Sequence, residues 1–256
     1  MLPAMCRDEI LAEIIERPRH AFVPVPDLQI IERPGWRQLV TPSIKGGGLN
    51  EVSFARLADD EVDAVIDATI AQYEKLGCKF VWRVGPDSTP ADLPARLARR
   101  GLVHGVACGM ARSTEMALGD DARIAIEPVD RSNVDIYTRT MAAGWAMDPG
   151  PLAAVNAQVA RHGAPHHLFL ARFEGEPAAT AGSVVFARSV YLLGGVTLDR
   201  FRGRGLYRAL VAARLQHARA RGVLLATSHA RAETSAPILE RLGFETLCRY
   251  DNFSSG

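Results

Sequence analysis

One cadence recurs along this chain and narrows the folds open to it: a helix runs into a single glycine, and an apolar strand follows at once. Val62, Val65, Ile66, Thr69, Ile70, Tyr73 and Leu76 keep helical spacing up to Gly77, and a strand is expected over 79–84. The same order returns at Leu206–Arg221, Gly222 and a strand over 223–227. Each unit continues through a loop, a second short helix and another glycine, Gly101 or Gly243, into one more strand. Glycine suits these stops because it takes the left-handed conformation that caps a helix. Helices that alternate with strands must bury their apolar faces on a shared sheet, so the fold class is mixed α/β. The matching glycine stops favour duplication, with two domains, each a central mixed sheet flanked by helices.

The remaining elements fit between these units. A short amphipathic helix is expected over 8–17, ended by Pro18. Residues 24–49 are rich in Pro and Gly and read mostly as loop, with a flexible break at 46–48 and a strand over 50–55. A polar stretch ending in Gly119-Asp120-Asp121 marks the boundary, giving domains at 1–118 and 119–256. After it come a strand over 123–127, helices near 132–143 and 151–161, and strands over 167–172, 178–186 and 189–197. A length of 256 residues accommodates two compact domains.

Composition excludes several functions. The formal net charge is +1, so no global basic field recruits nucleic acid. Arginines are frequent in the helices, where a solvated face is the simplest reading. The four cysteines, Cys6, Cys78, Cys108 and Cys248, lack CxxC spacing, which argues against zinc and a disulfide framework and for reduced thiols in the cytoplasm. Acidic residues come early and no apolar run follows a basic start, so no signal peptide is indicated. The most apolar stretch, 178–196, is broken by Arg188 and is too short to span a bilayer.

The chemistry concentrates at Arg202-Gly203-Arg204-Gly205-Leu206-Tyr207-Arg208. A strand leads toward this loop and a helix leaves it. The first amides of a helix are unpaired and the helix dipole is positive there, so the site attracts anions. Glycines let the backbone approach a phosphate, and Arg200, Arg202, Arg204 and Arg208 add full charges. The segment has neither GxxxxGK[ST] nor GxGxxG spacing.

These residues resemble the GNAT N-acetyltransferase superfamily, whose R/Q-x-x-G-x-G/A motif joins the fourth strand to the third helix. Arg202, Gly205 and Tyr207 take its places, and an alternative frame runs Arg200, Gly203, Gly205. Gly194-Gly195-Val196-Thr197-Leu198 resembles the fourth strand, and residues 238–245 resemble the fourth helix and last strand. The resemblance covers roughly residues 122–253. It implies that acetyl-CoA is the co-substrate. The backbone of Gly195, Val196 and Thr197 would hold the pantetheine arm, and the amides of Gly203, Arg204, Gly205, Leu206, Tyr207 and Arg208, with Arg202 before them, the pyrophosphate. The amine acceptor would enter between the fourth and fifth strands. Trp145, Met147 and Asp148 fall in the region that lines the acceptor site in the family.

Two departures matter. Tyr207 stands where the family has Gly or Ala, and Leu239 stands where many members carry the Tyr that protonates the departing thiolate. The amine must lose a proton before it attacks, so a base is needed. His229 is the first choice because histidine titrates near neutrality, with Glu233 beside it and Asp199 behind it. Tyr207 or Ser235 could protonate the thiolate, although Ser235 also suits a helix cap. His166 and His167 read as surface residues at a strand start.

The first-half helix opens with Asp59, Asp60 and Glu61, carboxylates that suit a helix N-terminus and repel pyrophosphate. The first half is therefore expected to be a degenerate GNAT-like domain without cofactor, able to shape the acceptor pocket. The expected activity is transfer of an acetyl group to an amine of a small molecule or peptide. A non-catalytic acyl-CoA sensor or scaffold is the alternative. The partners are acetyl-CoA and the amine, with no metal, nucleic acid or membrane, in a monomer or homodimer.

Overall fold

The computed structural model describes residues 5–22, 25–46, 48–115, 121–162 and 165–256. Gly47, at the expected flexible break, and the expected boundary at 118/119 lie outside the described residues. The chain forms two compact units, and neither is one continuous stretch. The larger comprises Met1–Val23, Met110–His229 and Arg241–Glu245. The smaller comprises Pro24–Gly109, Ala230–Glu240 and Thr246–Gly256. Both are mixed sheets flanked by helices, as the sequence implies. No helix among the described residues is long and apolar enough to cross a membrane.

In the smaller unit the strand order is β1 (Gln29–Arg33), β2 (Trp36–Val40), β3 (Glu51–Ala55), β4 (Val81–Val84), β11 (Glu245–Ser254) and β5 (Val103–Ser113). The β1–β2 hairpin corrects the expectation of loop over 24–49. Pro34 and Gly35 form a two-residue turn that pairs Arg33 with Trp36. Proline presets the first φ, and Gly35, at φ +72°, supplies the left-handed second position. Any Cβ at Gly35 would lie 2.7 Å from the Arg56 carbonyl oxygen, so the close approach also demands glycine. Helices α2 (Val62–Leu76) and α3 (Leu93–Arg99) flank this sheet. Gly77 caps α2 at φ +61°, as its sequence indicates. The core includes Trp36 edge-on to Trp82 and Tyr73 stacked on Phe80.

In the larger unit the order is β10 (Leu225–Arg231), β9 (Ser189–Thr197), β8 (Glu176–Val185), β7 (His166–Phe173) and β6 (Ile124–Pro128). Pairing is antiparallel from β6 to β9, and β10 runs parallel to β9. Helices α4 (Val134–Trp145), α5 (Gly150–His162) and α6 (Leu206–Arg219) pack on this sheet. Helix α1 (Arg7–Ile15) belongs to the same unit and buries Ile10 and Ile14. The buried Glu13 accepts a 2.6 Å hydrogen bond from the Ser189 hydroxyl, tying α1 to the start of β9. Helix α7 (Ser235–Arg241) lies in the smaller unit.

Candidate acyl-CoA site

The site begins with two irregularities in β9. The first is a bulge. Thr180 pairs with Val196 and Gly182 with Leu193, so Ala181 faces two residues, Gly194 and Gly195. Gly194 sits at φ +60°, the left-handed position that glycine fills in such bulges. The second is a break in the parallel ladder. Residues Leu225–Ser228 pair with Ser189–Leu192, and the register ends there. Beyond Leu192, the β10-facing edge of β9 has no ladder partner among the described residues, so its backbone groups can bind another molecule. Gly195, Val196 and Thr197 all lie on this stretch.

After β9 the chain makes one short 3-10 turn, Asp199–Phe201, and enters the loop before α6. Gly203 and Gly205 take φ values of +76° and +82°, and Gly205 is the N-cap of α6. A side chain at Gly203 would meet only open space, which leaves room for a ligand over the loop. The arginines are more committed than their sequence suggests. Arg202 pairs with Asp199 at 2.8 Å, and Arg200 lies 3.5 Å from Glu176. Arg204 stacks 4.9 Å above the Phe173 ring. Arg208 is exposed on the first turn of α6, while Leu206 is buried beneath it. The charges thus surround the helix start while amides supply the direct donors.

Tyr207 is packed against the bulge. A Cβ at Gly195 would come within 2.9 Å of Tyr207 Cε2, so the glycine makes room for the ring. Burial raises the Tyr207 pKa, opposed by the positive charge of nearby Arg214. A second close approach lies on the other side of the bulge: a Cβ at Gly144, in α4, would come within 2.6 Å of Val196 Cγ2. Two glycines from different elements therefore fix the position of the expected cofactor strand.

His229 follows Ser228, the last residue of β10 that pairs with β9. Its Nε2 lies 2.9 Å from the Ile14 carbonyl oxygen. A carbonyl only accepts, so Nε2 must donate, and a proton taken up by the ring goes to Nδ1. The ring also meets Tyr191 edge-on at 5.5 Å. No local pattern around His229 indicates that α1 orients it. Asp199 is exposed and held by Arg202. Glu233 and Ser235 lie in the smaller unit, Glu233 exposed. Leu239 is also in the smaller unit and only 1% exposed, so that position offers neither hydroxyl nor solvent.

Trp145 ends α4 and is 37% exposed; Ala146 follows at φ +51°, and the Met147 amide caps the helix on Ala142. Asp148 accepts the Gly150 amide at 3.0 Å and so starts α5. These three residues form one connection at the end of α4. A cleft of about 1030 Å³ runs along α6 and β6, with Gly205 and Arg208 at one end and His217 and Arg221 further along. Only the Gly205 end touches the loop just described, so the cleft as a whole is not the transfer site. His166 and His167 are half-buried, not surface residues. The ring of His167 lies 4.2 Å from that of His217, and burial, helped by His217, Arg221 and His166, lowers its pKa to about 4.

Residues 131–244 match the model of the Acetyltransferase (GNAT) family. This segment is a GNAT domain, and it contains the bulged strand, the glycine loop and α6. No curated protein matches the sequence. Three solved structures share the fold along nearly all of the chain. A GCN5-related N-acetyltransferase from Kribbella flavida has a TM-score of 0.68 at 15% identity, covering 99% of this chain and 96% of that one. A functionally unknown conserved protein from Staphylococcus epidermidis ATCC 12228 gives 0.69 at 12%, covering 93% and 96%. A tandem GNAT protein from the clavulanic acid biosynthesis pathway, solved without AcCoA, gives 0.60 at 11%, covering 94% and 87%. At these identities the likeness is one of fold. The resemblance read from Arg202, Gly205 and the flanking segments is thus confirmed for the family.

Proposed function

We propose that the larger unit binds acetyl-CoA and transfers its acetyl group by direct attack of an amine, from a small molecule or a peptide, on the thioester. One observation carries this reading: the β9–β10 ladder stops at Leu192, and the unpaired edge of β9 leads within a few residues to the two left-handed glycines before α6. An open strand edge followed by an anion-binding helix start matches a long molecule with an amide-bearing arm and a pyrophosphate. Acetyl-CoA supplies the acyl group in activated form.

The residues divide the work. The backbone at Gly195, Val196 and Thr197 receives the amide-bearing arm. The loop from Arg202 to Arg208 receives the phosphates. His229, oriented through Nε2 by α1, accepts the amine proton at Nδ1, directly or through one water. Tyr207, against Gly195, donates a proton to the departing sulfur in place of the missing tyrosine at Leu239. Trp145, Met147 and Asp148 contribute to acceptor recognition. The smaller unit binds no CoA: Asp59 is held by Arg96 at 2.5 Å, and Glu61 accepts the Ala58 amide at 3.1 Å, so carboxylates fill the place a phosphate would take.

Buried Leu239 favours one second reading, a non-catalytic acyl-CoA sensor. Free thiol release from acetyl-CoA, measured against a panel of small amines and peptides, separates the two. Amine-dependent release supports the transferase; tight CoA binding with no release across the panel supports the sensor.

A further inference from the structure

Arg214 is the one charge that the sequence misplaces most. It falls on α6 among arginines expected on a solvated face, yet it is 1% exposed. Its partners are oxygens of neutral groups. Nε donates to the Leu210 carbonyl at 2.9 Å, one turn back on α6. Nη1 donates to the Gly182 carbonyl at 3.1 Å and approaches the Leu193 carbonyl at 3.5 Å. Gly182 and Leu193 are the pair at which the β8–β9 register breaks. The Tyr207 phenol is close enough to act electrostatically on the guanidinium.

The titratable groups that act on Arg214 are Tyr207 from its own helix and Tyr137 from α4. Both are phenols whose ionisation is suppressed by burial, so neither neutralises it. Among the described residues no carboxylate pairs with Arg214. A buried cation without a counter-ion is costly, far more than a neutral hydrogen bond. A methionine or leucine would fill a helix position facing a sheet without that cost. The charge sits at the bulge, the place where the strand bends away from its neighbour and where Tyr207 meets Gly195.

We propose that Arg214 is a positioning residue for acyl transfer: it holds the β9 bulge and the Tyr207 hydroxyl around one buried positive charge, so that negative charge on the departing sulfur develops in a positive potential. This rests on the acetyl-CoA reading above. In the transfer, the amine nitrogen forms the new carbon–nitrogen bond and gives up a proton to the base. The carbon–sulfur bond breaks with its electron pair going to sulfur, and Tyr207 supplies the proton that sulfur takes. A fixed charge in a site of low dielectric needs no reorganisation when the reaction occurs.

The test uses the full-length protein with CoA itself. The thiol of bound CoA is titrated by its ultraviolet thiolate absorbance, read against CoA-free protein, in wild type, Arg214→Met and Arg214→Lys. Circular dichroism establishes that each variant is folded. The proposal expects the bound thiol to titrate at least about one pKa unit lower in wild type than in Arg214→Met, a tenfold difference in acidity. Arg214→Lys, which keeps the charge, should restore most of that shift. With acetyl-CoA and an acceptor, Arg214→Met should lower kcat about tenfold or more while KM for acetyl-CoA stays within about threefold. A folded, CoA-binding Arg214→Met whose thiol titrates as in wild type overturns the proposal. If Arg214→Met does not fold, Arg214→Lys decides: a retained shift supports the proposal, and a thiol as weakly acidic as free CoA overturns it. Failure of the wild type to bind CoA at all would remove the acetyl-CoA reading as well, whereas binding without an Arg214-dependent shift removes this inference alone.

Discussion

Gly144→Ala puts two opposing effects on one atom. Alanine in place of glycine within a helix ordinarily stabilises by about 0.5–1 kcal/mol, because the unfolded backbone loses less freedom. At position 144 the new Cβ would lie 2.6 Å from Val196 Cγ2 and 3.0 Å from Cγ1. Valine is stiff at χ1, so neither methyl can swing away without leaving its rotamer. Overpacking of this kind costs about 1–3 kcal/mol. The clash therefore wins, and a net loss of about 0.5–2 kcal/mol is expected, a fall in Tm of about 1–8 °C for a chain of this size. Val196 is on the expected cofactor strand, so affinity for CoA should fall as well. Urea denaturation and calorimetric titration with CoA measure both. In the Val196→Ala background the obstacle is gone, and Gly144→Ala should then stabilise. If Gly144→Ala raises stability in the wild-type background and leaves CoA affinity unchanged, the packing of α4 on β9 described above is wrong.

Other outcomes follow from the same geometry. Gly205→Ala should cost about 1–2 kcal/mol in denaturant unfolding, since φ is +82° at the N-cap of α6 and an L-residue is strained there; a neutral effect would contradict that conformation. The folded pKa of His167 is lowered to about 4, below the ordinary value of 6.5. Its contribution to stability is complete above about pH 6.5 and is lost as pH falls toward 4, because the unfolded chain then binds the proton first. Allowing for partial solvent screening, about 1–2 kcal/mol should disappear across that window, and His167→Phe should flatten the slope in a urea-against-pH series. His229→Ala should lower kcat/KM at least about tenfold and flatten the acidic limb of the pH–rate profile. Full activity with an unchanged profile would move the base to Glu233 or Asp199.

The parts of the fold that were legible are those written in local spacing. Strand β9 was read to the residue at Ser189–Thr197, and Gly77 was read as the left-handed cap of α2. The loop before α6 was legible because glycine spacing and charge are properties of neighbouring residues. The β1–β2 hairpin was missed because Pro34-Gly35 signals a turn and a loop alike; only the pairing of Arg33 with Trp36 distinguishes them. Long-range partners left no local trace. Ile14 meets His229, and Glu13 meets Ser189, across most of the chain. The simple reading of helix arginines as a solvated face fails at Arg214, because periodicity does not reveal that two carbonyls at a strand bulge await it. His166 and His167 were read as exposed for the same reason, their burial being set by α6 and not by β7 alone.

The central claim is that CoA lies along the unpaired edge of β9 and over the start of α6, and hydrogen–deuterium exchange with and without acetyl-CoA tests it most directly. The account predicts slower exchange at the amides of 195–197 and 203–208, with no change at 58–63, where the carboxylates stand at the start of α2. Protection at 58–63, or saturating acetyl-CoA that leaves 203–208 unprotected, would contradict it.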